Sequence, residues 1–287
     1  MPVDLDALYP KLIGLLLDTV FVVDADNRIV FVSDACEALL GYRADELTGT
    51  LITRYMHPDD VAVTLASIAR VMKGQPHADF RNRYIHKDGA IVYILWSAHW
   101  SEEDGVRIGV ARNVTALRRA EEDLVFLAHH DPLTGLTNRS LFNDRLDAAL
   151  RAARRHRNSL ALLFLDIDEF KSINDTYGHA MGDRVLCEMA RRLERCVRAT
   201  DTVARMGGDE FTVLLTDIQS DAAVSAKVDQ IVAIMNEPLG AVCAGVDMPS
   251  CSIGVARYPV DGEDVDTLLS HADDAMYRLK RQRADAS

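Results

Sequence analysis

A continuous, largely apolar segment, Ser159–Leu165, lies near the middle of the chain and shows no polar alternation. Such a run predicts a strand that is buried on both faces. The pattern around it predicts a β-α-β-β-α-β order, the ferredoxin-like arrangement in which the first strand lies beside a hairpin. The predicted elements are a strand at 159–166, a helix at about 182–199, a hairpin at 201–216, a helix at about 221–236 and a strand at about 249–257.

The N-terminal part of the chain has a different order, with two strands, a helical middle and three further strands. Alternating apolar positions bounded by turn residues identify the strands, and 3.6-residue periodicity identifies the helices. The chain is therefore predicted to be α+β, with two domains that differ in topology. The predicted N-terminal elements are Val20–Val23, Ile29–Val32, helices around Leu39, at Ala44–Leu47 and at Val61–Met72, and strands Asp79–His86, Ile91–His99 and Val106–Asn113.

Between these parts, four apolar residues follow one another at spacings of three, four and three: Leu117, Ala120, Leu124 and Leu127. This is the a/d spacing of a coiled coil over about two heptads. A helix that packs on its own domain shows the same pattern, so both interpretations remain open from the spacing alone.

A group of carboxylates is predicted to meet at the end of the buried strand. Gly207 and Gly208 separate two short apolar segments and predict a tight turn, because glycine accepts positive φ. Asp209 and Glu210 stand at this turn, and Asp166 ends the strand. Carboxylates with open coordination positions suit Mg²⁺, which keeps waters and takes further ligands from nucleotide phosphates. The alternative is a solvated acidic turn.

Composition narrows the class of protein. The 287 residues predict about two domains, and 48% hydrophobic with 26% charged residues is ordinary for a globular chain. A net charge of −12 argues against a broad nucleic-acid surface. Five scattered cysteines predict reduced thiols, and the apolar segment Leu12–Leu17 is too short to span a bilayer. We therefore expect a cytoplasmic protein with neither a nucleic-acid nor a membrane partner.

Five motifs follow one another in the C-terminal part of the chain: residues 130–139 (HDPLTGLTNR), 166–179 (DIDEFKSINDTYGH), 205–211 (RMGGDEF), 252–256 (SIGVA) and 272–277 (ADDAMY). Together they resemble the motifs of the GGDEF family of diguanylate cyclases. The resemblance implies a palm-type fold, a homodimer, and a nucleotidyltransferase that condenses two GTP into cyclic di-GMP and two pyrophosphates with Mg²⁺ or Mn²⁺.

The resemblance also implies roles for individual residues. Asp166, Asp209 and the Ile167 carbonyl match the metal ligands, and either Asp209 or Glu210 is the candidate base. Asp168 beside them is expected to be structural. The residues expected to contact substrate are Phe170 and Lys171 in a phosphate-cradling loop, Gly207 and Gly208 at the nucleotide, Asn174 and Asp183 at guanine, and Lys280 at the phosphates.

Two features near the ends of helices qualify this picture. Arg198 and Asp201 match the family's inhibitory Arg-x-x-Asp site, which binds the product, although a capping ion pair would have the same spacing. In the last helix the family commonly has the pattern Ala-Lys-x-x-Gly-Arg, in which Lys280 matches the lysine. Here Arg283 stands one position before the expected arginine, about 100° around a helix. Whether Arg283 reaches the phosphates is left open by the sequence.

The N-terminal part of the chain contains the motifs Gly41-Tyr42, His57-Pro58-Asp59-Asp60, Lys87-Asp88-Gly89 and Asn113-Val114-Thr115. They resemble the motifs of PAS domains, which usually sense ligands or partners. The sequence does not indicate the PAS ligand. We expect a PAS sensor domain at 9–117, a signalling helix at 113–130 and a cyclase domain at 131–287. The expected function is PAS-regulated cyclic di-GMP synthesis, and the alternative is a catalytically weak domain that senses cyclic di-GMP or GTP.

Overall fold

A computed structural model describes residues 13–75, 77–239, 243 and 249–284. The chain divides into two compact units, Met1–Glu122 and Asp123–Ser287. The start of the predicted sensor domain at residue 9 and the last three residues of the predicted cyclase domain lie outside the described residues. Within the described residues, no helix has the length and hydropathy needed to cross a membrane.

The first unit contains a five-stranded antiparallel sheet with the strand order β2-β1-β5-β4-β3. Three of its helices lie between the second and third strands, as the hydrophobic pattern predicts. Two 3-10 turns, Ile52–Tyr55 and Pro58–Asp60, precede the longest of them. The elements are β1 (Thr19–Asp24), β2 (Ile29–Val32), α1 (Cys36–Leu40), α2 (Ala44–Leu47), α3 (Val61–Val71), β3 (His77–Ile85), β4 (Ile91–Ser101) and β5 (Val106–Asn113).

One face of this sheet forms a core with the helices. Alternate residues of β4 point inward, and Ile94 and Trp96 are both buried. A polar chain runs through this core, because Trp96 Nε1 donates to Asn82 Oδ1 at 2.9 Å and Asn82 Nδ2 donates to Thr64 Oγ1 at 3.0 Å. Thr64 belongs to α3, so these bonds connect the helix to strands β3 and β4 without leaving the buried Asn82 unpaired.

The second unit contains a four-stranded antiparallel sheet with the order β7-β8-β6-β9. This confirms the predicted ferredoxin-like topology, in which the first strand pairs directly with the hairpin. Its elements are α5 (Arg139–His156), β6 (Ser159–Ile167), α6 (Phe170–Tyr177), α7 (His179–Cys196), β7 (Thr202–Gly207), β8 (Glu210–Ile218), α8 (Asp221–Met235), β9 (Cys251–Tyr258) and α9 (Val265–Ala284). A further helix, α4 (Thr115–His129), contains the boundary between the two units.

Both faces of β6 are covered, which explains its uninterrupted apolar sequence. Leu163 and Leu165 belong to a core that includes residues of α7 and α8, whereas Leu162 and Phe164 belong to a core that includes α5 and α9. Helices α5 and α6 were not predicted from the hydrophobic pattern. The polar and basic composition of α5 hides its apolar stripe, which consists of Phe142, Leu146, Leu150 and Ala153.

The alternation along β6 also determines what surrounds its last residues. Asp166 shares the face of Leu162 and Phe164, toward α9. On α9, Leu268, Ala272 and Met276 recur every four residues and pack in that same core. The next position of this stripe is Lys280, so the helical period brings its ammonium group to the end of β6.

Candidate active site

The predicted carboxylates meet at one end of the second sheet. Asp166 stands opposite Glu210 in the β6–β8 register, and the Ile167 amide donates to the Asp209 carbonyl at 3.4 Å. Gly207 and Gly208 have φ angles of 144° and 54°, conformations that L side chains rarely adopt. The turn therefore places Asp209 beside the end of β6.

Burial and neighbouring charge both affect the pKa of the Asp166 carboxyl, and this residue is only 8% exposed. Burial raises the pKa of this carboxyl, and the neighbouring charge of Asp209 adds to the effect. Lys280 opposes it, since its Nζ donates to Asp166 Oδ1. Burial in turn disfavours the Lys280 cation, but the bond to Asp166 and the charges of the neighbouring aspartates together outweigh burial and raise the pKa of the ammonium. The predicted phosphate-binding lysine thus contacts a predicted metal ligand.

Glu210 also lies close to other carboxylates. Burial and the charge of Asp273 raise the pKa of its carboxyl, while Arg139, with Nη2 3.9 Å from Glu210 Oε2, partly offsets them. The carboxylates of Asp166, Asp209 and Glu210 thus share one region with few balancing cations. A bound cation would relieve their mutual repulsion.

The donor set fits a hard divalent cation that also binds phosphate. Within the described residues, no group of three or more His, Cys, Asp or Glu side chains is arranged to hold a metal ion. Mg²⁺ does not require such a group, because it is usually held by one or two carboxylates together with waters and substrate phosphates. The carboxylates of Asp166 and Asp209 and the carbonyl of Ile167 are oxygen ligands of this kind.

The structure corrects the predicted phosphate loop. Phe170 and Lys171 form the first turn of α6, because the chain reverses at Glu169, which has a φ of 55°. Lys171 is exposed and Phe170 is partly buried. A helix start still presents unpaired backbone N–H groups, which suit an anionic ligand.

The predicted guanine-reading residues are connected by Gly182, which the sequence analysis did not assign to the site. Asn174 lies on α6 and the exposed Asp183 on α7. A Cβ atom at Gly182 would collide with Asn174 Oδ1 and lie 3.1 Å from the Phe170 ring. The absence of a side chain at residue 182 therefore lets α7 approach α6 closely and keeps Asn174 beside Asp183.

Arg205 holds the glycine turn and was also missed by sequence reasoning. Its Nε and Nη2 donate to the Gly208 carbonyl at 2.9 and 2.7 Å, and its Nη1 contacts both carboxylate oxygens of Asp131 at 3.0 and 3.1 Å. Burial alone would raise the pKa of Asp131, but hydrogen bonds from Thr134 and Arg205 outweigh it and lower that pKa. The arginine in the residue 205–211 motif and the aspartate in the residue 130–139 motif are the signals for this contact.

Asp168 has the bonding expected of a structural residue. Its oxygens accept from Ser250 Oγ at 2.6 Å and from Ser252 Oγ at 2.8 Å. Arg283 Nη1 also contacts Asp168 at 3.1 Å and donates to the Cys251 carbonyl at 2.9 Å. In this structure Arg283 therefore joins α9 to the start of β9 beside the candidate metal ligands.

Arg198 and Asp201 border a groove of about 320 Å³ in the second unit. The Asp201 carboxylate accepts from the Arg198 amide at 3.0 Å and the Thr216 amide at 3.2 Å, so it caps the turn before β7 through backbone bonds. The Arg198 side chain is exposed. The groove is also lined by Arg145 and His130.

Comparison with known proteins identifies both units. The family described as "Diguanylate cyclase, GGDEF domain" matches residues 128–286, and the family described as "PAS fold" matches residues 29–111. The chain is 46% identical over 166 residues to diguanylate cyclase TpbB of Pseudomonas aeruginosa, covering 58% of this chain and 38% of TpbB. It is 38% identical over 201 residues to diguanylate cyclase DgcM of Escherichia coli K12, covering 69% of this chain and 48% of DgcM.

Solved structures agree with these matches. The GGDEF domain of P. aeruginosa TpbB superposes with a TM-score of 0.52 and 47% identity, over 54% of this chain and 90% of that one. The coiled coil and GGDEF domain of DgcB from Caulobacter crescentus, in complex with c-di-GMP, has a TM-score of 0.52 and 31% identity, over 59% and 89% of the two chains. This chain spans less than half the length of the curated relatives TpbB and DgcM. The chain belongs to the GGDEF diguanylate cyclase family and carries a PAS fold ahead of its GGDEF domain.

Proposed function

We propose that this chain is a diguanylate cyclase, which condenses two GTP into cyclic di-GMP and two pyrophosphates. The observation that carries the proposal is the meeting of Asp166 with the Gly207–Glu210 turn, at an end of the sheet where several carboxylates lie close together. The names of the curated relatives TpbB and DgcM support the same reaction.

In this proposal, Asp166, Asp209 and the Ile167 carbonyl hold the divalent cation. When bound, Mg²⁺ or Mn²⁺ would neutralise phosphate charge and acidify the attacking 3′-hydroxyl. Asp209 or Glu210 accepts the proton from that hydroxyl. The raised pKa of Glu210 makes it a stronger proton acceptor than an ordinary carboxylate, which suits a base.

The remaining predicted residues bind and orient GTP. A cation bound at Asp166 would compete with Lys280 for the same carboxylate, which would leave the Lys280 ammonium available to the phosphates. Phe170 and Lys171 at the start of α6 receive further phosphate oxygens, and Gly207 and Gly208 let the backbone approach the nucleotide.

Guanine selection is assigned to Asn174 and Asp183. A carboxylate accepts from guanine N1–H and N2–H, whereas adenine offers no matching pair of donors. Binding of ATP would leave the Asp183 carboxylate without these two donors, so GTP should be preferred over ATP.

We also propose that Arg198 and Asp201 bind the product and inhibit the enzyme. The exposed guanidinium of Arg198 beside a groove of about 320 Å³ is suited to a phosphate or a guanine edge. The PAS domain, predicted at 9–117, would regulate a cyclase domain at 131–287 through the helix at 113–130, in a homodimer that brings two GTP together.

The alternative function is a catalytically weak domain that senses cyclic di-GMP or GTP. The observation in its favour is the position of Arg283, which contacts Asp168 and the Cys251 carbonyl and differs from the family's usual phosphate-binding arginine. Intact carboxylates at residues 166, 209 and 210 favour the enzyme.

Chromatography of the purified full chain incubated with GTP and Mg²⁺ tests the proposal. We expect cyclic di-GMP from the wild type and a rate lower by about a hundredfold or more for Asp209→Ala, since metal binding and geometry are both lost. Asp229→Ala, an exposed carboxylate on α8, serves as the matched control and should keep the full rate.

Two results would contradict the cyclase assignment. Full turnover by Asp209→Ala would exclude the proposed metal site. A dimeric wild type that binds cyclic di-GMP but makes none would favour the sensing alternative.

A further inference from the structure

The PAS unit contains a buried arginine at a position where the strand pattern calls for an apolar side chain. In β5, Arg107, Gly109 and Ala111 alternate with more exposed residues, so all three face the core of the sheet. Arg107 is only 6% exposed. Arginine is rarely buried to this extent unless an anion accompanies it.

No such anion accompanies Arg107 in the described part of the chain. Its Nη1 and Nη2 make long contacts of 3.4 and 3.3 Å to the amide oxygen of Asn27, which is neutral. Tyr84 and Asp24 are the neighbouring groups whose negative charge would favour the cation, but burial raises the pKa of Tyr84 and keeps its hydroxyl neutral. Asp24 forms no ion pair with Arg107 among the described residues, and its Oδ1 accepts from the backbone amides of Asp26 and Arg28 at 3.0 and 2.8 Å. Burial accordingly lowers the pKa of Arg107. A buried charge with so little compensation is costly to the folded state.

Arg107 borders a cavity between α3 and the sheet, of about 40 Å³. The rest of the lining is largely apolar and includes Phe21, Ile68 and Trp96, and the Thr64 hydroxyl in it already donates to the Asp60 carbonyl at 2.6 Å. This volume exceeds the space that one water molecule needs. It is far below the several hundred Å³ of a site for a drug-sized molecule or a large cofactor. The ligand that fits is therefore small.

We propose that this cavity binds a short-chain monocarboxylate, with its carboxylate on the Arg107 guanidinium and its alkyl end against the apolar wall. The planar guanidinium fork matches the two oxygens of a carboxylate. A second negative charge would face Phe21, Ile68 and Trp96 without a partner, so dicarboxylates should be disfavoured. The inference rests on the proposed regulation by the PAS domain and names the class of its ligand. It concerns binding and does not depend on cyclase activity.

Calorimetric titration of the full chain with acetate, propionate, butyrate and succinate, at constant ionic strength, tests the inference. We expect saturable binding of one monocarboxylate per chain, with a preferred chain length set by the cavity, and weak or no binding of succinate. Arg107→Gln should raise the dissociation constant about tenfold or more, since a charge-assisted hydrogen bond is lost. Arg112→Gln, on the exposed side of the same strand, is the matched control and should bind as the wild type does.

A second variant keeps the test informative if Arg107→Gln does not fold. Ala98→Leu reduces the cavity without removing the charge, because Ala98 is part of its lining. This change should weaken binding of the longest carboxylate most. The inference is overturned if the wild type binds none of the monocarboxylates, if chloride competes as well as they do, or if Arg107→Gln or Ala98→Leu leaves binding unchanged.

Discussion

Single carboxylates join separate elements in both units, and Asp60 does so through three hydrogen bonds. Its oxygens accept from the Arg83 backbone amide at 2.7 Å, from Nε at 3.0 Å and from Nη2 at 2.6 Å. These bonds connect the turn before α3 to β3. Arg83 lowers the pKa of Asp60 against the opposing effect of burial. The ionised carboxylate is therefore the form that the fold stabilises.

At pH 7 we expect Asp60→Asn to destabilise the PAS unit by about 1.5 kcal/mol, because charged hydrogen bonds are replaced by weaker ones. The folded pKa lies below the unfolded value of about 3.8. The contribution is thus present above pH 3.8 and is lost as the pH falls through the folded pKa. The difference between variant and wild type should then disappear.

Urea unfolding followed by tryptophan fluorescence measures this effect, since both tryptophans, Trp96 and Trp100, lie in the PAS unit. Asp45→Asn, which breaks an exposed pair with Arg43, is the control and should change stability little. An Asp60→Asn protein with wild-type stability at pH 7 would show that the bonds to Arg83 contribute nothing net.

The geometry around Arg198 allows inhibition to be separated from folding. Asp201 is bonded to backbone amides and not to the Arg198 guanidinium. Arg198→Ala should therefore leave stability and the initial rate unchanged, while progress curves with GTP continue linearly to higher product concentrations. Arg195→Ala, an exposed arginine of the preceding helix, is the control. Curves that level off equally early in wild type and Arg198→Ala would refute product binding at this site.

At the scale of elements, Arg192 connects two helices. It is 3% exposed on α7 and pairs with Glu188 at 2.9 Å. Its Nη1 donates to the carbonyls of Ile234 at 2.9 Å and Glu237 at 2.7 Å, and its Nη2 donates to that of Pro238 at 2.8 Å. These bonds tie α7 to the end of α8 and to the segment directly after it, where the helix leaves backbone carbonyls in need of donors.

Replacing Arg192 by Met should destabilise the second unit by about 3 kcal/mol, because Glu188 would lose its buried partner and the carbonyls at and after the end of α8 would lose their donor. Arg191→Met is the matched control, since Arg191 also contacts Glu188 but is exposed. Denaturant unfolding followed by circular dichroism measures the difference, and hydrogen exchange should show earlier opening of α8. Equal stabilities of the two variants would mean that Arg192 has no special role.

At the scale of the whole molecule, the feature that matters is the uncovered apolar side of α4. Among the described residues, none of its side chains is buried, and Leu117, Leu124 and Leu127 are 57%, 67% and 51% exposed. Such a row of exposed leucines suits a second helix packed along the seam. The single chain does not test the predicted coiled coil, which stays a prediction.

Leu124→Glu should weaken dimerisation and lower the cyclase rate at low protein concentration, because a charge would enter the seam. Val125→Glu is the matched control, since it places the same charge one residue away from the a/d positions. Sedimentation velocity and the rate against protein concentration measure both effects. A Leu124→Glu protein that stays dimeric and fully active would place dimerisation on other surfaces.

If the seam does set the apposition of two catalytic domains, a PAS signal needs only a small bias. A preference of about 1.4 kcal/mol for one helix packing changes the population ratio about tenfold. This is within the range of single small-ligand contacts.

Local sequence determined the strands, the order of the β-α-β-β-α-β unit and the meeting of Asp166 with the glycine turn. These follow from hydrophobic period and from glycine conformation, which act over a few neighbouring residues. Helices α5 and α6 were not predicted, because short or strongly polar helices show little periodic apolar signal.

Tertiary structure alone decided which distant polar groups pair. Lys280 reaches Asp166, Arg205 reaches Asp131, and Arg107 faces a cavity with no carboxylate beside it in the described part of the chain. Each depends on strand register, on the helical stripe that packs against a strand, or on the space left between a helix and a sheet. No local pattern encodes such separations, because a side chain's partner is set by the packing of both faces of the element that carries it.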